Sequence, residues 1–262
     1  VPRPTSDPLI YDTAAFAAAD HLVIGIPGAF SPVQIMAPLE RLAGPTRAVA
    51  FYRLPGFDDR PAEEFVNLEF AAETIVNSVR QGGFEHVDLV GHSTGSAIAL
   101  AAANALRTRL PHVKVRVAAI STALPAPPPV LAGARGAVGT VGAAVRAGSL
   151  SPRTVWLEYY RTLAYGPNAE TDPQVAQAAD ALVAANEGRI ALPQEGLGKR
   201  HTRALRRWTN ATPDRLQGVE IVLYHGAVDP VFPPRAVDRF ARSMPNAKLQ
   251  LIDGHGHLLM LT

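Results

Sequence analysis

Ser93 stands at the centre of Gly91-His92-Ser93-Thr94-Gly95, after Val87-Asp88-Leu89-Val90 and before an Ala-rich stretch of helical period that ends at Arg109. A serine at a sharp strand-to-helix turn must take a strained backbone, and glycines on either side keep side chains out of the space where strand and helix nearly touch. The hydroxyl is then held out over the sheet. The amino end of the helix offers free N–H groups and positive potential to an oxyanion formed beside it. The chemistry predicted is nucleophilic catalysis through Ser93. The pentapeptide alone is common; the strand before it and the helix after it favour this over an ordinary turn.

A serine nucleophile needs a base. Among 8 histidines, the pair in Asp253-Gly254-His255-Gly256-His257-Leu258 follows the last strand-like run, where a loop can bring an imidazole to Ser93. His257 is the expected base, because Gly256 permits a tight loop before it, whereas His255 between two glycines shapes the turn. His92 is expected to point away from the serine and to pack or line the cleft. His21, His86, His112 and His201 read as surface or core residues. The imidazole in turn needs a carboxylate to fix its tautomer and stabilise the imidazolium. Asp229, in Tyr224-His225-Gly226-Ala227-Val228-Asp229-Pro230 after a β-run, is the candidate. Asp88, Asp58, Asp59 and Asp253 are more simply solvated or turn carboxylates. The oxyanion would be held by the N–H groups of Thr94 and of Ala29, in Ile26-Pro27-Gly28-Ala29-Phe30; the alternative is a plain Pro-Gly turn.

These residues need a frame. Val23-Ile24-Gly25-Ile26 ends in Pro27-Gly28, and strand-like runs recur at 47–54, 86–90, 113–120, 219–224 and 248–252. Helical periods lie between them at 32–43, 64–80, 96–109 and 234–243. This alternation predicts an α/β fold with a mostly parallel central sheet and helices on both faces, its reactive groups at the carboxyl ends of the strands. Residues 123–216 break the alternation and are too long for a crossover. They begin with Pro125, Pro127, Pro128 and Pro129, pass through a Gly/Ala-rich stretch to Ser149, and show helical patterns at 151–163 and 172–186. A helical lid over the crevice is expected, within a single domain spanning 1–262. Trp156, Leu157, Tyr159, Tyr160, Leu163 and Tyr165 are too apolar for a flexible surface excursion. Phe30, His92, Trp156 and Tyr160 are the expected substrate-binding side chains.

Composition removes other chemistries. With Cys 0 there is no thiolate nucleophile, disulfide framework or thiolate zinc site. There is no His-Glu-x-x-His, so no metal site is predicted, and Gly91 to Gly95 lacks the Gly-Lys-Ser/Thr ending of a phosphate cradle. Lys+Arg 25 against Asp+Glu 23 leaves a formal charge of +2, which gives no support to nucleic-acid capture. No apolar run reaches the roughly 18 to 20 residues of a membrane span, so a soluble chain is expected. The start at Val1 and the apolar end Leu258-Leu259-Met260-Leu261-Thr262 are those expected of a domain excised from a longer polypeptide.

With Val23 to Phe30, Arg53-Leu54-Pro55-Gly56-Phe57, Leu89 to Gly95 and Gly256-His257-Leu258-Leu259-Met260, the sequence resembles the thioesterase domains that end modular polyketide synthases and related peptide synthetases. The resemblance covers most of the chain apart from 123–216. It implies an α/β-hydrolase fold with the triad order Ser93, Asp229, His257. It also implies acceptance by Ser93 of an acyl chain from the phosphopantetheine thioester of an acyl carrier protein in cis, with no cofactor of its own. The acyl-enzyme would be released to water or to a hydroxyl of the chain, in the cytoplasm. Many such thioesterases carry the acid near the position of Ile120-Ser121-Thr122; no Asp stands there, so the role passes to Asp229. Only about twenty residues precede the first predicted strand, too few for the paired helices by which family members dimerise, and no dimer is predicted. A carboxylesterase or lipase shares the same chemistry. A non-catalytic acyl-binding fold would require a missing triad member.

Overall fold

The computed structural model describes residues 7–29, 31–61, 67–125, 128–186, 216–244 and 246–262. The chain order is β1 (Leu9–Tyr11), α1 (Thr13–Ala18), β2 (His21–Ile26), a 3₁₀ helix (Val33–Leu42), β3 (Arg47–Tyr52), α2 (Leu68–Gly82), β4 (His86–His92), α3 (Thr94–Arg109) and β5 (Lys114–Ile120). There follow α4 (Pro128–Ala147), α5 (Pro152–Tyr165), α6 (Asn168–Thr171), α7 (Pro173–Asn186), β6 (Glu220–Gly226), α8 (Pro234–Arg242) and β7 (Ala247–Ile252). The seven strands form one sheet in the order β1-β3-β2-β4-β5-β6-β7. Six run parallel; β1 pairs antiparallel with β3 at the edge.

Each predicted strand is present with its ends moved by at most two residues. The shared register explains the continuous apolar runs, since a parallel strand is buried on both faces. Leu22, Ile24 and Ile26 face the larger core, which includes Ile75 of α2, Ile98 of α3 and Phe240 of α8. Val23 faces the opposite way and packs with Ile35 and Met36 of the 3₁₀ helix and with Val90.

Four expectations about elements are corrected. Leu9–Tyr11 forms a strand before the first one predicted; three residues are too few to show a period. The helix expected at 32–43 is a 3₁₀ helix with Pro38 inside it. Proline lacks the N–H and clashes with the carbonyl four residues back, so α geometry cannot run through that position. The helix expected from 64 begins at Leu68, capped by the Asn67 side chain on the Phe70 amide, and stops at Gly83 with φ 68°. The Gly/Ala-rich stretch is the 20-residue α4, despite the low helix propensity of glycine.

Between β5 and β6 the described residues thus carry four helices; residues 126–127 and 187–215 of that segment lie outside them. Val155, Tyr159, Leu163 and Leu182 form an apolar cluster of their own, which includes Leu258 next to His257. No helix among the described residues is long and apolar enough to cross a membrane.

Candidate active site

The sheet places the site. From β2 the chain steps outward to β3 and then returns to β4 on the other side of β2. The loops leaving the carboxyl ends of β2 and β4 therefore diverge, and the crevice between them is where open α/β sheets hold their ligands. Pro27 to Ala29 leave β2 there, and Ser93 leaves β4.

Ser93 has φ 50° and ψ −116°, a strained conformation for a residue with a side chain, and α3 begins at the next residue. The turn is held by the Ser93 amide on the Ile120 carbonyl, 2.9 Å, and by the Ala123 amide on the Ser93 carbonyl, 3.1 Å. A Cβ on Gly91 would lie 2.4 Å from the Gly95 carbonyl oxygen, within the close strand-to-helix approach expected. Gly95 serves a different contact: its Cβ would lie 2.1 Å from the Ile26 carbonyl oxygen, so it lets α3 press on the end of β2. A Cβ on Gly28 would meet that of Ser93 at 3.0 Å, which shows how tightly the turn after β2 seats against the elbow. Ala29 follows the glycine that abuts Ser93, and Thr94, buried at 1 % exposure, follows Ser93 itself. The Thr94 amide is in the first turn of α3, where N–H groups have no intrahelical acceptor.

Ser93, His257 and Asp229 come together from three loops. His257 Nε2 lies 3.0 Å from Ser93 Oγ. His257 Nδ1 lies 2.8 Å from Asp229 Oδ2. The carboxylate accepts only, so Nδ1 carries the proton and Nε2 is left to accept one from the hydroxyl. Asp229 is 7 % exposed, and its Oδ1 accepts the amides of Val231 and Phe232 at 2.7 and 3.0 Å. Burial pushes the Asp229 carboxyl up, but the His257 partner, His225 and the Phe232 amide together outweigh it and hold the carboxyl below its ordinary range. The site holds an ionised acid behind an imidazole aimed at a serine hydroxyl.

The remaining candidates fall in distinct places. His92 is 2 % exposed and donates Nε2–H to the His257 carbonyl at 2.9 Å, so it stands behind the base and not on an open cleft wall. Burial, and then the neighbouring His257, bring its imidazole down to about 4. Tyr160 of α5 lines a narrow cleft with Ser31, Gln34, Ile35, Asn186 and Leu261. Trp156 packs beside Tyr159 and Tyr160, with ring centroids 5.8 and 6.3 Å away. Phe30 and His201 lie outside the described residues. His255 accepts the Val228 amide at its carbonyl, 3.1 Å, in keeping with a turn-shaping role.

Two of the rival carboxylates are engaged elsewhere. Asp88 pairs with Arg116 at 2.7 Å and His21 at 2.9 Å near the amino ends of the strands, and Asp58 accepts the Val33 amide at 2.9 Å. Three contributors carried no sequence expectation. His225 is fully buried at the end of β6, donates Nε2–H to the Phe232 carbonyl at 2.9 Å, and stands 3.6 Å from Asp229 Oδ2. Its place in β6, four residues before Asp229, was the available signal. The other contributors are the Leu163 and Ala164 carbonyls of α5, which accept amides of the His257 loop and leave no trace in side-chain identity. Among the described residues no group of three His, Cys, Asp or Glu side chains could hold a metal ion.

Residues 23–262 match the alpha/beta hydrolase family, and the chain belongs to it. No curated protein matches. Solved structures share the fold: a thermophilic esterase from Thermogutta terrifontis is 19% identical, with TM-score 0.66 over 97% of this chain and 88% of that one. A carboxylesterase structure from the thaumarchaeon Nitrososphaera gargenis is 14% identical, with TM-score 0.69 and coverage of 97% and 88%. MenH from S. aureus is 18% identical, with TM-score 0.60 and coverage of 91% and 87%. At such identities the likeness defines the architecture, on which different chemistries are built.

Proposed function

We propose that the protein is a serine thioesterase that accepts a polyketide-type or other long acyl chain on Ser93 from the phosphopantetheine thioester of an acyl carrier protein. The observation that carries the acyl-transfer chemistry is the hydrogen-bonded line Ser93 Oγ, His257 Nε2, His257 Nδ1 and Asp229 Oδ2, at 3.0 and 2.8 Å. As Oγ attacks the thioester carbonyl, its proton passes to Nε2, and the oxyanion is accepted by the Thr94 and Ala29 amides. Collapse of the tetrahedral intermediate breaks the C–S bond, and the imidazolium protonates the departing thiolate. Water, or a hydroxyl of the acyl chain, then gives its proton to Nε2 and attacks the acyl carbonyl; the second tetrahedral intermediate breaks its bond to Ser93 Oγ, which takes that proton from the imidazolium, completing hydrolysis or lactone formation. Asp229 keeps Nδ1 protonated throughout and stabilises the imidazolium.

The choice of a long acyl substrate is supported by the apolar cluster of Val155, Tyr159, Leu163 and Leu258, with Trp156 and Tyr160 packed against it. Helices over the crevice, acting as a lid, would bury such a chain and exclude water from the acyl-enzyme. The choice of a thioester is supported by the resemblance of Leu54-Pro55-Gly56-Phe57 and the Ser93 and His257 segments to chain-terminating thioesterases. A carboxylester substrate is the second reading, favoured by the esterase from Thermogutta terrifontis among the structures of the same fold.

Treatment with a fluorophosphonate and mapping of the adduct tests the chemistry: Ser93 is labelled, Ser93→Ala is not, and Asp229→Asn loses about 10³ to 10⁴ in kcat. Full turnover by Ser93→Ala overturns the proposal. Acyl-pantetheine thioesters are then compared with matched alkyl esters, and a clear preference for the esters selects the second reading.

A further inference from the structure

The side chain of His257 is held by Ser93 and Asp229, but the backbone that carries it is held by other groups. Its amide donates to the Leu163 carbonyl at 2.6 Å, and the amides of Gly256 and Leu258 donate to the Ala164 and Leu163 carbonyls at 2.7 and 3.3 Å. These acceptors are carbonyls of the last turn of α5, which have no partner within the helix. On the other side the His257 carbonyl accepts Nε2–H from His92, at 2.9 Å, in the elbow itself. Gly166 caps α5 with φ 60° and ψ −151° and lies so near the acid loop that a Cβ would stand 2.3 Å from the Val228 carbonyl oxygen. Val228 in turn donates its amide to His255. The end of α5, the acid loop and the base loop are therefore interlocked through backbone atoms.

We propose that His92 and the carboxyl end of α5 are positioning elements for His257, gripping its backbone from opposite sides so that the segment between β5 and β6 sets where the base stands. The His257 carbonyl only accepts, so this hydrogen bond fixes the proton of His92 on Nε2. The contact also explains why the segment needs Gly166: any side chain there would push α5 off the loops it holds.

This inference rests on His257 acting as the base of Ser93, and the test separates the two. The rate of Ser93 labelling by a fluorophosphonate, and kcat and KM on an acyl-pantetheine thioester and its matched ester, are measured for the wild type, Ser93→Ala, His92→Phe, His92→Gln and Gly166→Ala. His92→Phe keeps an aromatic ring but has no donor, and is expected to lower labelling rate and kcat about 10- to 100-fold with KM within about twofold. His92→Gln places an N–H at the same distance along the side chain and is expected to recover most of the loss. Gly166→Ala is expected to lower kcat similarly, and the double variant with His92→Phe to fall short of the product of the two losses, because both act on one residue. Equal rates for Phe and Gln variants, or a folded Gly166→Ala at wild-type kcat, would overturn the clamp. Turnover by Ser93→Ala overturns the underlying chemistry instead.

Discussion

Gly226, the last residue of β6, lies against Gly256 so closely that a Cβ on it would stand 2.1 Å from the Gly256 carbonyl oxygen and 2.2 Å from that of His255. This contact brings the acid loop onto the base loop, three residues before Asp229 on one side and next to His257 on the other. Gly226→Ala would force them apart through backbone, which cannot give way as a side-chain tip can. The expected outcome is a loss of about 3 kcal/mol of stability, with fluorophosphonate labelling of Ser93 slowed at least tenfold in the folded fraction. Thermal unfolding and labelling kinetics check the two parts, and a variant with wild-type values in both would contradict the contact.

Stability should depend on pH through His92. Burial lowers its imidazole from 6.5 to about 4 in the folded protein, so between these values the unfolded chain binds a proton that the native protein does not. Its contribution is complete above pH 6.5 and is lost as pH falls toward 4, by up to about 3 kcal/mol. Burial of His225 acts in the same direction, while the stability contributed by the depressed carboxyl of Asp229 is present above its unfolded value of 3.8 and is lost only as pH falls below it. Unfolding followed from pH 7 to 4.5 should show a flatter slope for His92→Phe than for the wild type. Parallel slopes would remove His92 from this account.

Ser121 follows β5 with φ 45°, is fully buried, and its Oγ has no hydrogen-bond partner among the described residues. Two costs coincide there, an orphaned hydroxyl and a left-handed backbone in a residue with a Cβ. Ser121→Ala removes the first, and Ser121→Gly removes both. Denaturant unfolding should therefore rank glycine above alanine, with the glycine variant at least about 1 kcal/mol more stable than the wild type. Alanine above glycine would show that the backbone at 121 carries no strain.

The strands were legible because parallel strands covered on both faces carry apolar runs, as at Leu22 to Ile26 of β2 and Val117 to Ile120 of β5, even though polar side chains stand at the amino ends of β4, β5 and β6. Gly91-His92-Ser93-Thr94-Gly95 was legible for a similar reason, since the crowding that demands its glycines lies within a few residues. Leu9–Tyr11 escaped notice because its strand character depends on pairing with β3, forty residues away. The 20 residues of α4 escaped notice because glycine at 133, 136, 139 and 142 opposes helix locally, while tertiary contact, as of Gly139 with the Tyr159 ring, accommodates it.

The residue types at Ser93, Asp229 and His257, and their order along the chain, were determined by the sequence alone, because each stands in a local pattern that only certain turns can satisfy. Their convergence was decided by the strand order, which sets β2 and β4 side by side and brings the loops after β6 and β7 over Ser93. The tertiary structure alone decided which groups grip His257. Those groups are the backbone carbonyls of Leu163 and Ala164 and a buried His92, and a carbonyl is the same in every residue until folding gives it a neighbour.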